Sequence, residues 1–289
     1  MRRKLKVSER RTCRVLGQPR PSQRYQPSVN EFERRLVTRM LELVRAHPRY
    51  GYRRIWALLR REGWKVNRKR VHRLWRREGL KVPQKAHKKR HWGHSANGCM
   101  RQRPEHPDHV WALDFIFDRT QGGGSLKWLS IVDEYTRECL ALVVARSMTA
   151  EGVLDVLAEL FVVRGVPGHL RSDNGPEFIA QAVRRWLERT GAKTLYIAPG
   201  APWENGYAES FHSRLRDELL NVEEFASVAE ARQMAERWQL EYNHRRPHSS
   251  LGYQTPAEFA SVCRKCRSAT LRGTCDTPRE EEPLPPILS

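Results

Sequence analysis

The chain has 289 residues, enough for one large domain plus smaller ones that each bury a core. Its formal net charge of +20 is unevenly distributed: residues 1–103 hold 32 Lys and Arg against 6 acidic residues, whereas residues 104–289 hold 21 against 27. The chain has no run of 18 apolar residues, and its basic N-terminus has neither an apolar core nor a cleavage site. These features argue against a membrane span and a secretory signal.

The six cysteines are scattered, which is typical of a reduced cytosolic protein rather than a disulfide scaffold. Cys263, Cys266 and Cys275 are candidate zinc ligands. Three thiols without a second paired motif instead favour incidental surface cysteines.

Residues 1–27 are predicted to form a basic arm with at most a short helix, because prolines interrupt the segment. Residues 28–82 show helical periodicity in three segments. Ser28 and Glu31 resemble a capping box for the first helix, which ends before Pro48. A second helix is predicted from about 52 to 62, and a third begins after the cap residue Asn67 and ends by Gly79.

The second and third helices, joined by residues 63–67, have the spacing of a helix-turn-helix. The third helix is predicted to present six basic side chains to DNA: Arg68, Lys69, Arg70, Arg73, Arg76 and Arg77. A merely solvated charged helix is the alternative, but the one-sided sign of the charge favours DNA. Residues 83–107 are predicted to be a basic linker that follows phosphates, with Lys88, Lys89 and Arg90 as candidate contacts.

Residues 108–262 alternate between strand and helix patterns. The predicted strands are 110–118, 126–132, 138–145, 169–172 and 193–197, and the predicted helices are 149–164, 177–190, 207–220 and 227–242. The first three strands, separated by tight turns, suggest an antiparallel meander. A mixed sheet with helices on its faces follows, which is an α/β layer architecture. Residues 263–289 are predicted to be a disordered tail.

Three acidic residues occupy three different settings in this second part. Asp114 lies inside the apolar strand Val110–Phe117, and Asp173 follows a short strand at the start of Asp-Asn-Gly-Pro-Glu-Phe. Glu209 is near the start of a helix, with 35 residues between it and Asp173. A carboxylate among apolar neighbours needs a cation or hydrogen-bond donors, whereas Asp118 or Asp133 suits a turn-capping role better. Carboxylates gathered from two strands and a helix suit magnesium, and two such ions can clamp the oxygens of a phosphoryl displacement.

The segments Trp111–Phe115, Ser172–Phe178, Pro199–Phe211 and Tyr242–His248, in this order, resemble the bacterial insertion-sequence transposases with a retroviral-integrase-type catalytic core. More narrowly, the chain looks like the downstream-frame product of elements whose transposase is encoded in two overlapping frames. The resemblance implies a ribonuclease-H-like core, DNA cleavage followed by strand transfer, and Asp114, Asp173 and Glu209 as catalytic acids. They would bind two divalent metal ions, magnesium or manganese.

The resemblance also implies partners. They are the element's terminal repeats, target DNA, further copies of the chain on DNA, and an upstream-frame transposase subunit or fusion. No sustained heptad run occurs in the first hundred residues, so we expect the chain alone to recombine its element poorly. The expected location is the bacterial cytoplasm, with the nucleoid and not with a membrane.

Other candidate residues have two interpretations each. Trp203 can stack on an unpaired base or anchor its loop, and Arg216 can hold a DNA phosphate or pair within its helix. His212 shares a helix face with Glu209, but a lone histidine is usually a polar surface residue. The segment Tyr242–His248 suits packing or contact with the DNA backbone.

Two other functions compete with that of a transposase. A DNA-binding regulator would have no need for three facing carboxylates. A structure-selective nuclease would share the metal chemistry but would not need the helix-turn-helix or the basic linker. Only a transposase joins a 3′ end to a new target.

Overall fold

The computed structural model describes residues 7–25, 31–82, 102–173, 175, 181–196 and 206–271. The chain divides into two compact units, residues 1–82 and 83–289. Each unit has a hydrophobic core of its own. No helix in these ranges is long and apolar enough to cross a bilayer.

The described part of the first unit is helical. Its helices are α1 (Glu9–Val15), α2 (Arg20–Arg24), α3 (Glu31–Ala46), α4 (Tyr52–Arg61) and α5 (Arg68–Arg77). Asn67 caps α5 as predicted, because its side chain accepts a hydrogen bond from the Lys69 amide at 2.8 Å. Gly63 and Gly79 follow α4 and α5 with φ of 87° and 66°, a left-handed conformation that glycine adopts without strain.

The apolar faces of α3, α4 and α5 form one core around Leu36, Ile55 and Leu74. This is the predicted helix-turn-helix arrangement. The predicted arm contains two short helices rather than at most one, and Ser8 caps the first of them. The predicted cap Ser28 lies outside the described residues, as do Lys88, Lys89 and Arg90 of the linker.

The second unit is mixed α/β, as predicted. Its described elements are β1 (Val110–Arg119), β2 (Ser125–Asp133), β3 (Cys139–Ala145), α6 (Ala150–Arg164), β4 (His169–Ser172), α7 (Gln181–Thr190), β5 (Lys193–Tyr196), α8 (Gly206–Leu215), a π turn (Arg216–Leu220), α9 (Val228–His244), a 3-10 turn (Ser249–Leu251) and α10 (Pro256–Leu271).

The five described strands form one sheet in the order β3-β2-β1-β4-β5. The first three strands are an antiparallel meander, and β4 and β5 pair in parallel beside β1. Helices cover both faces. One core lies between the sheet and α6 and α7, and the other lies between the sheet and α8, the π turn and α9. Side chains alternate along a strand, so the even-numbered residues of β1, including Ile116, face α8.

Asp133 has the turn-capping role that was expected of it or of Asp118. Its buried carboxylate accepts hydrogen bonds from the amides of Asp108 and Tyr135 and from the Thr136 hydroxyl at 2.8–3.1 Å. Asp118 accepts one from the amide of Arg119 at 2.9 Å.

The C-terminal helix corrects the predicted start of the tail at residue 263. Helix α10 continues to Leu271, so the boundary between 262 and 263 falls inside a helix. Arg264 on this helix bonds the buried Glu138 carboxylate at 2.7 Å, and Arg164 holds the same carboxylate from α6. Residues 272–289 lie outside the described residues.

The segment Tyr242–His248 includes the last residues of α9, and its side chains bond and pack against the rest of the unit. Arg246, only 2% exposed, makes two hydrogen bonds of 2.7 Å to Glu218 of the π turn. Asn243 bonds both the amide and the carbonyl of Cys139, each at 2.9 Å, and Tyr242 packs edge-on against Phe211 of α8. These contacts support the packing interpretation of the segment.

We expect the Glu218–Arg246 pair to be a main determinant of stability. Glu218→Gln or Arg246→Gln should each lower the free energy of unfolding by about 3–5 kcal/mol, because each leaves a buried charge without its partner. The double variant should lose less than the two single variants together. The measurement is urea unfolding, with Glu236→Gln and Arg237→Gln on the exposed face of α9 as controls. Additive losses in the double variant would contradict the coupling.

Candidate active site and DNA-binding surface

The pairing of β1 with β4 brings two of the predicted acids together. The parallel register pairs Val110 with His169 and Ala112 with Arg171. β4 ends at Ser172, and the same register continued two residues past its last pair would align Asp173 with Asp114. Adjacent strands lie about 4.8 Å apart, and paired residues of parallel strands direct their side chains to the same face. The two carboxylates would therefore leave the sheet on one face.

Helix α8 brings the third acid to this face. Phe211 and Leu215 of α8 pack in the same core as Ile116 of β1. Glu209 lies in the first turn of α8 and is exposed. The charges of Asp173 and Glu209 both act on the pKa of Asp114, so the three carboxylates share one electrostatic environment.

The carboxylate of Asp114 has a strongly raised pKa. Its side chain is 20% exposed, and burial raises its pKa to about 7. A hydrogen bond of 2.8 Å from the Phe115 amide acts in the opposite direction, and the charges of Asp173 and Glu209 raise the pKa further. A cation at this position would relieve both the desolvation and the repulsion.

His212 lies against Asp114. Its Nδ1 is 3.5 Å from Asp114 Oδ2, and its Nε2 is 2.8 Å from the Ser130 hydroxyl. Ser130 is the β2 residue paired with Asp114, and its hydroxyl is 3.2 Å from the Asp114 carbonyl oxygen. Burial, and then the charge of Arg216, lower the pKa of His212 to about 4, so the imidazole is neutral at physiological pH. His212 is therefore not the polar surface residue that its sequence setting suggested. Ser130 has no sequence motif that marks it and reaches His212 only through the pairing of β1 with β2.

The donor chemistry of the site fits magnesium or manganese, because the three acids offer only oxygen ligands. Within the described ranges, no group of three His, Cys, Asp or Glu side chains is close enough to hold a metal ion. Residues 174, 176–180 and 197–205, which flank Asp173 and precede α8, lie outside those ranges, and Trp203 is among them. Asp114, Asp173 and Glu209 themselves lie within the described ranges and do not form such a close group, so they fit a metal by ligand type, and a site formed by all three stays a prediction.

Two further predicted roles, phosphate binding by Arg216 and zinc binding by the C-terminal cysteines, stay predictions. Arg216 opens the π turn and is exposed, while its neighbour Glu218 bonds Arg246 instead. A role for Arg216 in holding a phosphate stays a prediction. Cys263 and Cys266 lie on α10, Cys275 lies outside the described residues, and a zinc site also stays untested.

The six basic residues of α5 divide between two faces. Three of them converge on one carboxylate: Arg70 Nε is 3.2 Å and Arg77 Nη1 is 3.5 Å from Glu33 of α3, and Arg73 also bonds Glu33. Arg68, Lys69 and Arg76 are exposed on the other face, and they form no ion pair within the described part of the chain. Sequence periodicity could not separate the two groups, because the separation depends on packing against α3.

Known protein families match most of the chain. An HTH-like domain matches residues 31–90, and two integrase core domain families match residues 104–202 and 190–256. An uncharacterised 31.7 kDa protein of insertion element IS407 from Burkholderia multivorans is 37% identical over 96% of this chain and 96% of that protein. An uncharacterised 39.2 kDa protein of insertion element IS476 from Xanthomonas euvesicatoria is 38% identical over 88% of this chain and 73% of that protein.

More distant relatives include the transposase InsD of Escherichia coli element IS2, which is 29% identical over 78% of this chain and 77% of that protein. Among solved structures, the catalytic core domain of BIV integrase is 23% identical over 57% of this chain and 99% of that chain, with a TM-score of 0.42. The HTLV-2 integrase catalytic core in complex with magnesium is 17% identical over 55% of this chain and 99% of that chain, with a TM-score of 0.44.

The fold and the family matches together define an integrase-type polynucleotidyl transferase: a helix-turn-helix unit is followed by a ribonuclease-H-like core. Its relatives are encoded by bacterial insertion elements. The chain belongs to the bacterial insertion-sequence transposases, which are enzymes of DNA transposition.

Ionisation of Asp114 should destabilise the metal-free protein. The pKa of Asp114 is about 7 in the folded chain and near its ordinary value of 3.8 in the unfolded chain, so its stabilising protonated form is lost as pH rises through 7. Asp114→Asn removes this ionisation. In EDTA, the gain in free energy of unfolding over the wild-type chain should therefore be up to about 4 kcal/mol larger at pH 8 than at pH 4, which corresponds to the shift of about three pKa units. Urea unfolding at the two pH values measures this. Asp155→Asn, at an exposed site on α6, should show no such pH-dependent gain, and a pH-independent effect of Asp114→Asn would be contrary evidence.

The two faces of α5 should contribute differently to DNA binding. Arg68→Ala/Lys69→Ala/Arg76→Ala should reduce the slope of log K against log salt by roughly 0.9 for each phosphate that is no longer neutralised, with little effect on stability. Arg70→Ala/Arg73→Ala/Arg77→Ala removes the same number of charges but should change the slope less and lower the melting temperature more, since these side chains hold Glu33. Fluorescence anisotropy over a salt series, with thermal unfolding, measures both. Equal slopes for the two triple variants would refute the division of faces.

Proposed function

We propose that this transposase catalyses metal-dependent phosphodiester cleavage and strand transfer at the ends of its insertion element. Asp114, Asp173 and Glu209 would hold two magnesium or manganese ions. The observation that carries the proposal is the β1–β4 register: continued past its last pair, it would align Asp173 with Asp114 on the sheet face that packs against α8, the helix of Glu209. The electrostatic coupling of the three carboxylates supports the same grouping.

The bound metals would supply the activation of an attacking water or 3′-hydroxyl and the neutralisation of charge on the phosphate. The chain's own residues would orient the ligands. Sheet pairing positions the two aspartates, and the packing of Phe211 and Leu215 positions the helix that carries Glu209. Arg216, exposed beyond Glu209 on the same helical segment, would bind a DNA phosphate.

DNA would be held by the basic first unit and the linker. Arg68, Lys69 and Arg76 of α5 are the leading candidates, joined by Lys88, Lys89 and Arg90 of the linker and by Trp203 as a stacking residue. Arg70, Arg73 and Arg77 would contribute less while Glu33 engages them. The active protein would be an oligomer on DNA in the bacterial cytoplasm, because two element ends must be joined together.

Substitution of the acids tests this function. Asp114→Asn, Asp173→Asn and Glu209→Gln should each abolish strand transfer of a 3′-recessed element end into target DNA, because each removes one anionic metal ligand. Magnesium or manganese should support the wild-type reaction, and calcium should bind without efficient turnover. DNA binding by all three variants should persist, which separates catalysis from recognition.

Controls for the acid variants are Asp155→Asn and Glu159→Gln, on the exposed side of α6, which should keep full activity. Retained strand transfer in any one of the three acid variants would remove that residue from the proposed site. Cleavage without joining by the wild-type chain would instead favour a nuclease.

An upstream-frame subunit or fusion is the proposed protein partner, supported by the resemblance to two-frame elements. Expression of residues 1–289 beside a marked element, with and without the upstream frame fused, tests it through the number of excised circles. Equal numbers from the two proteins would show that the partner is not needed.

A further inference from the structure

We propose that His212 is a positioning residue for Asp114: its Nδ1–H holds Oδ2 of the ionised carboxylate, and Ser130 orients the imidazole through Nε2. This inference rests on the proposed metal site and adds residues to it that the acid motif does not include. The geometry that carries it lies at the contact between β1, β2 and α8.

Both oxygens of Asp114 have a neighbour. Oδ1 accepts the 2.8 Å hydrogen bond from the Phe115 amide, and Oδ2 faces His212 Nδ1 at 3.5 Å. Each carboxylate oxygen has two lone pairs, so an oxygen that accepts one hydrogen bond can also bind a metal ion. The two neighbours fix the plane of the carboxylate, which would otherwise rotate about its terminal torsion.

Ser130 decides which imidazole nitrogen carries the proton. Its hydroxyl has one hydrogen and two acceptors in reach, His212 Nε2 at 2.8 Å and the Asp114 carbonyl oxygen at 3.2 Å. If the hydroxyl donates to Nε2, the neutral ring carries its proton on Nδ1 and offers it to Asp114. If it donates to the carbonyl, an Nδ1 lone pair faces a carboxylate, which is repulsive. An ionised Asp114 therefore selects the first arrangement.

The positions of Ser130, His212 and Asp114 leave these three side chains little freedom to move relative to one another. Ser130 is directly opposite Asp114 in the antiparallel register of β1 and β2, so its hydroxyl has little freedom relative to the carboxylate. His212 is 13% exposed and lies next to Phe211, whose ring packs edge-on against Trp238 and Tyr242 of α9. The imidazole thereby links the helix of Glu209 to the strand of Asp114. Such outer partners of a metal ligand typically change metal affinity 10–100-fold when removed.

Two substitutions of His212 separate the roles of its two nitrogens. Asparagine places an amide nitrogen close to the position of Nδ1, whereas glutamine places one close to Nε2. His212→Asn should keep Mn²⁺ affinity close to wild type. His212→Gln and His212→Ala should each weaken it by about 10–100-fold. Ser130→Ala should weaken Mn²⁺ binding when residue 212 is histidine. It should not do so in the His212→Asn background, because an asparagine amide donates to Asp114 without a hydrogen bond from Ser130.

The measurement is the electron paramagnetic resonance signal of free Mn²⁺, titrated with the full chain without DNA, followed by strand transfer over a range of Mn²⁺ concentrations. The weakened variants should need more metal for half-maximal activity and approach wild-type rates at saturation. His244→Asn and His244→Gln, at an exposed position of α9, control for the substitution itself. Urea unfolding shows that each variant is folded.

Glutamine binding Mn²⁺ as well as or better than asparagine would overturn the proposal, because the Ser130 contact would then be the one that matters. Wild-type affinity in His212→Ala would overturn it as well. Failure of the metal site itself has a different signature: Asp114→Asn and Asp173→Asn would then bind Mn²⁺ as the wild-type chain does.

Discussion

A carboxylate in the middle of a packed sheet is the constraint around which the second unit is organised. Asp114 stands on β1, the central strand, with helices covering both faces of the sheet. An ionised group there is costly unless donors or cations surround it. The Phe115 amide offsets part of this cost. The proposed contact with His212 and the proposed metal ions would offset more of it, and both depend on the position of α8.

The placement of α8 depends in turn on contacts far along the chain. Tyr207 at its start lies under the guanidinium of Arg137, at 3.8 Å from the ring centroid. Phe211 is held by aromatic rings of α9, and the π turn after α8 is held by the buried pair of Glu218 and Arg246. A π turn in a helix often marks a functional site. Here Glu218 lies in the π turn and bonds Arg246. The segment Tyr242–His248 thus helps to position the helix that carries Glu209.

Much of this could be predicted from sequence because the signals are local. The strand around Asp114, the cap at Asn67 and the stops at Gly63 and Gly79 depend on neighbouring residues, and the acids belong to recognisable motifs. The Ser130–His212 contact, the pairing of Glu33 with three arginines and the clamp on Glu218 depend on residues brought together only by folding. The extension of α10 past residue 262 was missed because contacts with the core, such as Arg264 with Glu138, override a composition that predicted disorder.

The central claim is that Asp114, Asp173 and Glu209 share a metal site, and iron-directed backbone cleavage tests it most directly. Fe²⁺ substituted for magnesium in the wild-type chain, with ascorbate and peroxide, generates radicals that cut the chain near the bound ion. The account predicts simultaneous cuts near residues 114, 173 and 209, suppressed by excess Mg²⁺ and absent in Asp114→Asn. Cuts near only one of these positions, or cuts that persist in Asp114→Asn, would contradict it.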